Sequence, residues 1–529
     1  MKCKILSSIL RQDGGMKTSK SLSFKMKLKR IIPTAKRRSY KLYNKLFIYL
    51  PVDILIYLNN LLCGVSNSKS KYSKSKYSKS SAPAETPEKR LLIFRHDGIG
   101  DYIMFRNFLE VLKKSDRFAG YKITLLGNAA WKDLAEFLDK DNIDEFIWLD
   151  KKKFTADFFY RYKEFKEITS VKYDILIHPF SREFFNADND LACLIKADKK
   201  IGSIRIPRYT KPYKSKILGI IYNELIADEE NIRFEFYKNK IFFEKLLSEK
   251  INLNKPFINL PLYIDNDKDK VEVKDTDEVK DKDKVIDIDI DDKDKDIKSR
   301  LGISSPYAAF FIGASVKHRK WPPAYFAETA AYLHTKYGFH IVLCGGKSEL
   351  NDAAEFTKHF PADLLADKTS FTDAVGKISL IELLYVVKDA SLVISNETMA
   401  PHIAMALANT NINSTNSIVS SATPIAVSKE VTARHGLIKP IVIVISTGEA
   451  SYGHFVPYPE ELGGSSNYAA VFHPHIEQNP EEYKDITEKF GRGYDDRFDI
   501  SEITAASVLN KIDEKLNFIC QFFDSFHSG

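Results

Sequence analysis

Residues 91–112, LLIFRHDGIGDYIMFRNFLEVL, predict a buried strand, a glycine turn and an amphipathic helix. The apolar run 91–94 is typical of a strand, and charged residues with two glycines interrupt it over 95–100. A strand that enters a helix through a glycine turn directs backbone N–H groups and the positive end of the helix at the space above the sheet. Asp101, at the start of this helix, is therefore either a helix cap or a side chain placed for chemistry. Apolar side chains then recur at helical spacing at Phe105, Phe108, Leu109 and Leu112.

The composition indicates a folded, multidomain protein. The chain has 529 residues, of which 44% are hydrophobic, so it can bury sizeable cores and is long enough for two domains with additional segments. The net charge of +8 comes from one basic segment, because residues 17–45 contain eleven Lys and Arg and no acidic residue. The cysteines show no metal-ligand spacing, which predicts a reducing compartment and no structural metal. They are Cys3, Cys63, Cys193, Cys344 and Cys520.

Residues 1–90 predict a region for membrane association followed by a tether. The stretch 46–63 is the most apolar in the chain, but proline and polar residues interrupt it, and a spanning helix needs about 20 apolar residues. Because it follows the basic run, we predict a peripheral contact through residues 17–63 in the lipid headgroup region. The alternative is a helix that docks on the protein's own body. Nucleic-acid binding is disfavoured because the basic run leads into an aliphatic stretch. Residues 66–81 are a Ser/Lys-rich tether.

Residues 91–264 predict a first α/β domain. Runs typical of strands alternate with helical patterns, which indicates a parallel sheet that binds ligands at the carboxyl ends of its strands. The strands are predicted at 91–95, 122–126, 145–149 and 174–178, and the helices at 103–114 and 130–139. His178, Ser181 and Arg182 follow the last of these strands and are candidates on the same rim. The alternative for His178 is a purely structural role.

Residues 301–500 predict a second α/β domain. Residues 265–300 alternate Asp and Lys, which indicates a solvated linker or insertion between the domains. The alternation of strands and helices then resumes, with strands expected at 308–315, 340–346, 391–395 and 440–446. Residues 409–434 are rich in Ser, Thr and Asn and predict an inserted loop. Residues 501–529 contain a C-terminal amphipathic helix.

Five motifs together resemble the ordered motif set of glycosyltransferase family 9. That family includes the ADP-heptose:lipopolysaccharide heptosyltransferases. The resemblance extends over about residues 91–475, apart from the insertions. It implies the GT-B fold, in which two Rossmann-like domains face a cleft, with the acceptor on the N-terminal domain and the sugar nucleotide mainly on the C-terminal one. The motifs are RHDGIGD (95–101), GASVKHRKWPPAYFAE (313–328), LCGGKSE (343–349), ISNETMAPHIAMAL (394–407) and GHFVPYP (453–459).

The resemblance also implies roles for individual residues. Asp101 would be the base that takes the proton of the acceptor hydroxyl. Arg319 or Lys320 would hold the diphosphate, unless they belong to a solvated basic loop. Glu349 would bind the ribose of the nucleotide, unless it is an acid that starts a helix. The remaining donor-side candidates are Glu397, His402 and the backbone N–H groups of Thr398, Met399 and Ala400. The acceptor-side candidates are Arg95, His178, Ser181 and Arg182.

Two residues depart from the family pattern. Glu397 stands where the family has Asp in its SND-type motif, and Met399 stands where Gly is common. Because Met does not readily adopt positive φ, we expect a phosphate loop of different shape, which leaves the choice of sugar nucleotide open.

The sequence therefore predicts an inverting, metal-independent glycosyltransferase. It would move a heptose or related sugar from a nucleotide-diphosphate donor, with ADP-heptose a candidate, to a hydroxyl of a lipopolysaccharide or lipid-linked glycan. The donor is a substrate, and neither a cofactor nor a metal is expected. The predicted location is peripheral, on the inner face of the cytoplasmic membrane. Two alternatives remain open, namely an enzyme like a nucleotide-sugar epimerase and an inactive membrane-tethered protein that binds a nucleotide sugar.

Overall fold

A computed structural model describes most of the chain between residues 43 and 527. The predictions for residues 1–42, for the tether and for most of the charged linker and the inserted loop lie outside the described residues, as do those for Ser181 and Arg182. The described residues are 43, 45–63, 88–179, 187–204, 212–229, 232–260, 297–409, 440–448, 451–464, 467–480 and 498–527.

The first half of the chain forms a parallel six-stranded sheet with strand order β3-β2-β1-β4-β5-β6. Its strands are β1 (Arg90–Arg95), β2 (Lys122–Asn128), β3 (Glu145–Leu149), β4 (Lys172–His178), β5 (Lys196–Ile204) and β6 (Glu224–Ala227). The helices of this half are α1 (Leu50–Cys63), α2 (Ile99–Phe105), α3 (Asn107–Lys114), α4 (Lys132–Leu138), α5 (Lys151–Ala156), α6 (Phe158–Thr169), α7 (Ala187–Leu194), α8 (Pro212–Ile221) and α9 (Glu235–Leu247).

The second half repeats this arrangement with strand order β12-β11-β10-β7-β8-β9, again parallel. Its strands are β7 (Tyr307–Phe311), β8 (His340–Cys344), β9 (Phe371–Asp373), β10 (Leu392–Asn396), β11 (Ile441–Ser446) and β12 (Tyr468–Phe472). Its helices are α10 (Pro323–Tyr337), α11 (Leu350–His359), α12 (Ala362–Ala366), α13 (Leu380–Lys388), α14 (Ala400–Ala408), α15 (Pro474–Gln478) and α16 (Ala505–His527).

The predicted fold class is confirmed, since two Rossmann-like α/β halves are present. The central strands of the second sheet, β7 and β10, are buried along their whole length, as expected for a parallel sheet covered on both faces. The predicted helix at 103–114 is instead two helices, α2 and α3, which meet at Arg106. Arg106 is held there because its guanidinium is paired with the buried Asp139 at 2.9 Å. The C-terminal helix α16 packs on the second sheet, where Val508, Ile512 and Leu516 are buried.

Helix α1 docks on the first sheet, as one of the two sequence interpretations allowed. Val52 and Ile56 are fully buried in the same apolar cluster as β1 and β4. Asp53 accepts a hydrogen bond at 2.9 Å from Arg161 of α6, whose side chain is fully buried. None of the described helices is long and apolar enough to cross a membrane.

The two halves meet directly, and this contact sets the position of one sheet relative to the other. Helix α2 of the first half packs against α14 of the second. The backbone N–H of Ile258 donates to the carbonyl of Ala406 at 3.0 Å, and the N–H of Glu235 donates to the carbonyl of His454 at 2.9 Å. One apolar cluster runs through both halves, so the relative position of the two sheets is fixed by packing.

Candidate functional site

The two carboxylate oxygens of Asp101 have different surroundings. Gly98 is the N-cap of α2, and its N–H donates to Oδ2 of Asp101 at 3.2 Å. This bond is half of a capping box and accounts for one carboxylate oxygen. The other oxygen, Oδ1, is buried and has no hydrogen-bond partner among the described residues. Since buried polar atoms are normally paired, an unpaired carboxylate oxygen in the glycine turn is suited to accept a proton.

Residues far along the chain hold the loop that carries Asp101. The carbonyl of Asp97 accepts hydrogen bonds from Asn128 Nδ2 at 2.9 Å and from Trp131 Nε1 at 3.1 Å. Lys151 Nζ donates to the carbonyl of His96 at 2.8 Å. The sequence prediction missed these three donors. Asn128 and Lys151 follow directly on predicted strands, and that position was the available signal.

His402 reaches the same turn from the other half of the molecule. A Cβ atom added at Gly100 would lie 2.7 Å from Cδ2 of His402, so the imidazole ring rests on the glycine backbone. Nδ1 of His402 is 2.9 Å from the hydroxyl of Tyr458. Burial lowers the pKa of His402 from 6.5 to about 4, although the charge of Asp101 opposes this shift. The ring is therefore neutral near pH 7 and lies beside Asp101.

Glu397 is the centre of a buried polar cluster at the carboxyl end of β10. Its Oε2 accepts hydrogen bonds from the hydroxyls of Ser446 and Ser451. Its Oε1 is 3.3 Å from Nη1 of Arg319. A buried carboxylate of this kind requires such partners, because an unpaired charge in the interior is costly. The two serines were not predicted, since they lie about fifty positions beyond Glu397 and no local spacing connects them to it.

Asn396 ties together the backbone around this cluster. Its Nδ2 donates to the carbonyl of Ile312 at 2.8 Å, and its Oδ1 accepts the N–H of Trp321 at 2.9 Å. The ends of β7 and β10 and the basic loop that contains Arg319 are therefore held by one amide side chain. Asn396 was also missed, although it stands in the ISNETM motif.

The start of α14 provides the predicted backbone donors. Met399 is the N-cap with φ −72° and ψ −30°, an ordinary right-handed conformation. Because Met399 does not use positive φ, the turn differs from one built around a glycine in the left-handed region. The hydroxyl of Thr398 is 3.2 Å from that of Ser395. The N–H groups of Thr398, Met399 and Ala400 precede Pro401, which has no N–H of its own.

Lys320 and Glu349 lie at the edge of the same half. Lys320 forms an ion pair with Asp352 of α11. Glu349 accepts the N–H of Gly346 at 2.8 Å, so it starts the helical segment as its alternative interpretation proposed. Its side chain also lies where a Cβ atom of Gly313 would be, at 2.6 Å from Cγ. Glu349 thus lies between the ends of β7 and β8, at the rim that contains Arg319.

Arg95 is buried and contacts three polar side chains. Its guanidinium is fully enclosed and contacts Asp97 at 2.6 Å, Asn239 at 2.9 Å and Glu235 at 3.3 Å. These contacts fix α9 against the loop of Asp101. A pocket opens beside this cluster at the carboxyl ends of β4, β5 and β6, and its lining includes Glu235 and Asn239.

His178 is also enclosed by protein in this structure. Its Nδ1 is 2.6 Å from the hydroxyl of Tyr222, and its ring stacks on Phe94 with centroids 4.7 Å apart. Burial lowers its pKa from 6.5 to about 4. Although His178 ends a strand at the expected rim, its ring is only 1% exposed, which favours the structural interpretation that the sequence left open.

A sequence comparison with known protein families matches the segment that contains the donor-side candidates. The sequence model described as glycosyltransferase family 9 (heptosyltransferase) matches residues 243–414. The predicted resemblance to glycosyltransferase family 9 is confirmed, and the match over these residues supports the predicted glycosyltransferase activity. The matched segment contains every donor-side candidate but not Asp101. Comparison with functionally curated proteins found no match.

A solved structure from glycosyltransferase family 9 shares the fold. The crystal structure of the glycosyltransferase family 9 protein from Veillonella parvula DSM 2008 has 17% identity and a TM-score of 0.52, and the alignment covers 82% of this chain and 99% of that one. At this identity the likeness establishes the fold alone. Two structures from E. coli are also similar, ADP-heptose LPS heptosyltransferase II (14% identity, TM-score 0.49, coverage 81% and 98%) and heptosyltransferase WaaC with ADP-2-deoxy-2-fluoro heptose (15%, 0.47, coverage 80% and 99%).

Proposed function

We propose that this family 9 glycosyltransferase is an inverting, metal-independent enzyme that transfers a heptose or related sugar from a nucleotide-diphosphate donor to a hydroxyl of a lipopolysaccharide or lipid-linked glycan. The observation that carries the proposal is Oδ1 of Asp101, which is buried and has no hydrogen-bond partner in the described part of the chain. His402 of the donor-side half lies against the neighbouring Gly100, where α2 and α14 are in contact. ADP-heptose is the donor to test first, since heptosyltransferase is the description of the matched family.

The proposed reaction is a single displacement. The acceptor oxygen attacks the anomeric carbon of the sugar while its proton passes to Oδ1 of Asp101. The bond between that carbon and the phosphate oxygen breaks, and the nucleoside diphosphate leaves with the electron pair. One attack from the face opposite the leaving group inverts the anomeric carbon. Asp101 acts as the base and is not the nucleophile.

The leaving diphosphate needs positive charge and backbone N–H groups. Arg319 and the start of α14 are brought together by the Glu397 cluster and Asn396, which makes them the proposed diphosphate site. Glu397 and Asp352 form ion pairs with Arg319 and Lys320, respectively. A bound diphosphate would compete with these carboxylates, and this exchange supplies the charge without a metal ion.

Neutral His402 suits this arrangement. A protonated imidazole beside Asp101 would stabilise the carboxylate and weaken it as a base, whereas the lowered pKa keeps the ring uncharged at pH 7. The hydroxyl of Tyr458 keeps its proton, because burial raises its pKa well above the usual value. We therefore propose that Tyr458 and His402 position the sugar beside Asp101.

The acceptor is proposed to be membrane-borne, and the protein to bind peripherally at the inner face of the cytoplasmic membrane through residues 17–63. The basic run over 17–45 and the apolar stretch that follows it support this location. No role for nucleic acid is proposed.

Transfer from ADP-heptose to a lipid-linked acceptor, measured with and without EDTA, tests the proposal. We expect a product of inverted anomeric configuration and an unchanged rate in chelator. The same donor at 100 times its dissociation constant should stabilise the protein by about 2.7 kcal/mol. Loss of activity in EDTA with recovery in magnesium or manganese would contradict metal independence. Binding without turnover on any acceptor would point to an inactive binding protein, and conversion of the donor without an acceptor to an epimerase.

A further inference from the structure

Helix α1 has two unlike faces. The inner face is built into the first sheet through the buried Val52 and Ile56 and the ion pair between Asp53 and Arg161. The guanidinium of Arg161 also lies 4.5 Å from the ring centroid of Tyr49, in the π-helical turn before α1. The helix is thus fixed to the body of the protein, and its orientation is set by specific contacts.

The outer face of α1, with the turn before it, is apolar and exposed. Leu50, Ile54 and Leu58 recur at spacings of four along one stripe of the helix, and exposed apolar residues beside them and in the preceding turn extend this stripe. Their side chains are 44% to 62% exposed, and they are seven of the ten large hydrophobic residues that are exposed in the described part of the chain. Clustering of this kind marks an interaction surface, because single exposed apolar residues are ordinary and contiguous patches are not. The stripe consists of Tyr43, Phe47, Leu50, Ile54, Leu55, Tyr57 and Leu58.

Basic residues precede this stripe in the sequence and begin the neighbouring helix α5. The basic run over residues 17–45 leads directly into it. Helix α5, which contacts the π-helical turn before α1, begins with the exposed residues Lys151, Lys152 and Lys153. Cations at a helix N-terminus oppose the helix dipole, so helix stability does not explain them.

We propose that the outer face of α1 inserts into the interfacial layer of a bilayer that contains anionic lipid, with Lys152 and Lys153 of α5 contacting the headgroups. This inference specifies which residues make the membrane contact of the proposed function. It rests on that function only for the reason why the protein would bind a membrane. An apolar stripe flanked by lysines and carrying tyrosines fits the boundary between acyl chains and headgroups.

Bilayer contact through α1 and α5 would also determine how the sheet rim that carries Asp101 is oriented relative to the membrane. Helix α5 starts where β3 ends, at the edge of the sheet that carries Asp101. Lys151 also binds the carbonyl of His96 in the loop before Asp101. A bilayer in contact with α1 and α5 would therefore lie beside this rim, where a lipid-linked acceptor could reach it.

Other occupants of the outer face fit less well. The tether over 66–81 repeats KSKYSKSKYSKS and has almost no apolar side chain with which to cover the stripe. A second copy of the chain would bring two segments with eleven positive charges each into proximity, and like charges repel. An anionic bilayer supplies both the apolar layer and the opposite charge.

The test measures binding of the full chain to vesicles of phosphatidylglycerol and phosphatidylethanolamine. The double variant Leu50→Gln/Ile54→Gln removes two aliphatic side chains from the stripe. The matched control Ile220→Gln/Leu350→Gln removes the same two residue types from exposed positions elsewhere. We expect the partition coefficient of the first variant to fall on the order of tenfold or more, and that of the control to stay at the parent value. Both should unfold at the parent temperature, since all four side chains are exposed.

Several outcomes would overturn the inference. These are parent-like vesicle binding by the stripe variant, an equal loss in both variants, or equal binding to phosphatidylcholine vesicles. A stripe variant that changes the oligomeric state instead would identify a second copy as the occupant. Protection of α1 from hydrogen exchange without vesicles, lost on deletion of residues 1–42, would identify the chain's own N-terminal segment. Transfer to a detergent-dispersed acceptor separates this inference from the proposed function, because the stripe variant should retain it.

Discussion

Two replacements of Asp101 test its helix cap and its proposed role as the base separately. Oδ2 caps α2 through the N–H of Gly98, while Oδ1 is buried and has no hydrogen-bond partner within the described ranges of the chain. In Asp101→Asn the amide keeps an oxygen for the cap but cannot accept the proton of a sugar hydroxyl. In Asp101→Ala both the cap and the base are lost. Stability and turnover should therefore respond differently in the two variants.

The magnitudes follow from these contacts. A positioned general base contributes about 10² to 10⁴-fold in rate, so both variants should lose at least ~10²-fold in kcat. Loss of a helix cap costs about 0.5–2 kcal/mol, and the 3.2 Å length of this bond favours the lower half of that range for Asp101→Ala. The free energy of unfolding of Asp101→Asn should stay close to that of the parent. Donor affinity should change little in either variant, because the proposed diphosphate site is in the other half.

The assay combines transfer rates at saturating donor with chemical denaturation of each variant. An Asp101→Asn enzyme that turns over at the parent rate would refute the assignment of the base, and His402 would be the next residue to replace. A large stability loss in Asp101→Asn would show that its effect on rate arises from structural change and not from loss of a base.

Two further predictions concern the contact between the halves and the response to pH. Gly100→Ala places a Cβ atom 2.7 Å from the ring of His402, so we expect lower turnover and a loss of roughly 1–3 kcal/mol in stability despite the better helix propensity of Ala. The control is Gly98→Ala, whose Cβ would have its nearest contact at an ordinary 3.4 Å, and equal effects in both variants would contradict the packing argument. Burial lowers the pKa values of His178 and His402 from 6.5 to about 4, so the folded state binds fewer protons than the unfolded state between these values. Their contribution to stability is complete above about pH 6.5 and is lost as the pH falls towards 4, by up to about 3 kcal/mol per histidine. Denaturation across this range should show the loss, and His178→Gln should reduce its slope; an unchanged slope would mean that His178 is not desolvated.

Local patterns in the sequence were sufficient for much of the fold. The strand, turn and helix over residues 91–112 were predicted because alternation and helical spacing depend on near neighbours along the chain. The same holds for the parallel alternation in both halves. For α1, spacing predicted an apolar stretch, yet it could not assign one face to the protein and the other to the outside, because that depends on what α6 and the first sheet present to it.

In the candidate site, the sequence alone could not show which residues have a structural role and which are available for chemistry. Arg95 and His178 end strands and Asp101 follows one, all at the same rim, and nothing in their spacing distinguishes them. Only the tertiary structure encloses Arg95 among Asp97, Glu235 and Asn239 and pairs His178 with Tyr222. It also leaves one oxygen of Asp101 without a hydrogen-bond partner among the residues it describes.

The sequence by itself determined the residue types that can perform the chemistry and the elements that carry them. The tertiary structure decided which of them act together, because it places His402 on Gly100, Arg319 beside Glu397, and Ser446 and Ser451 on the same carboxylate. Burial and charge pairing are set by neighbours in space, and residues far apart in the chain become such neighbours only when the two sheets pack together.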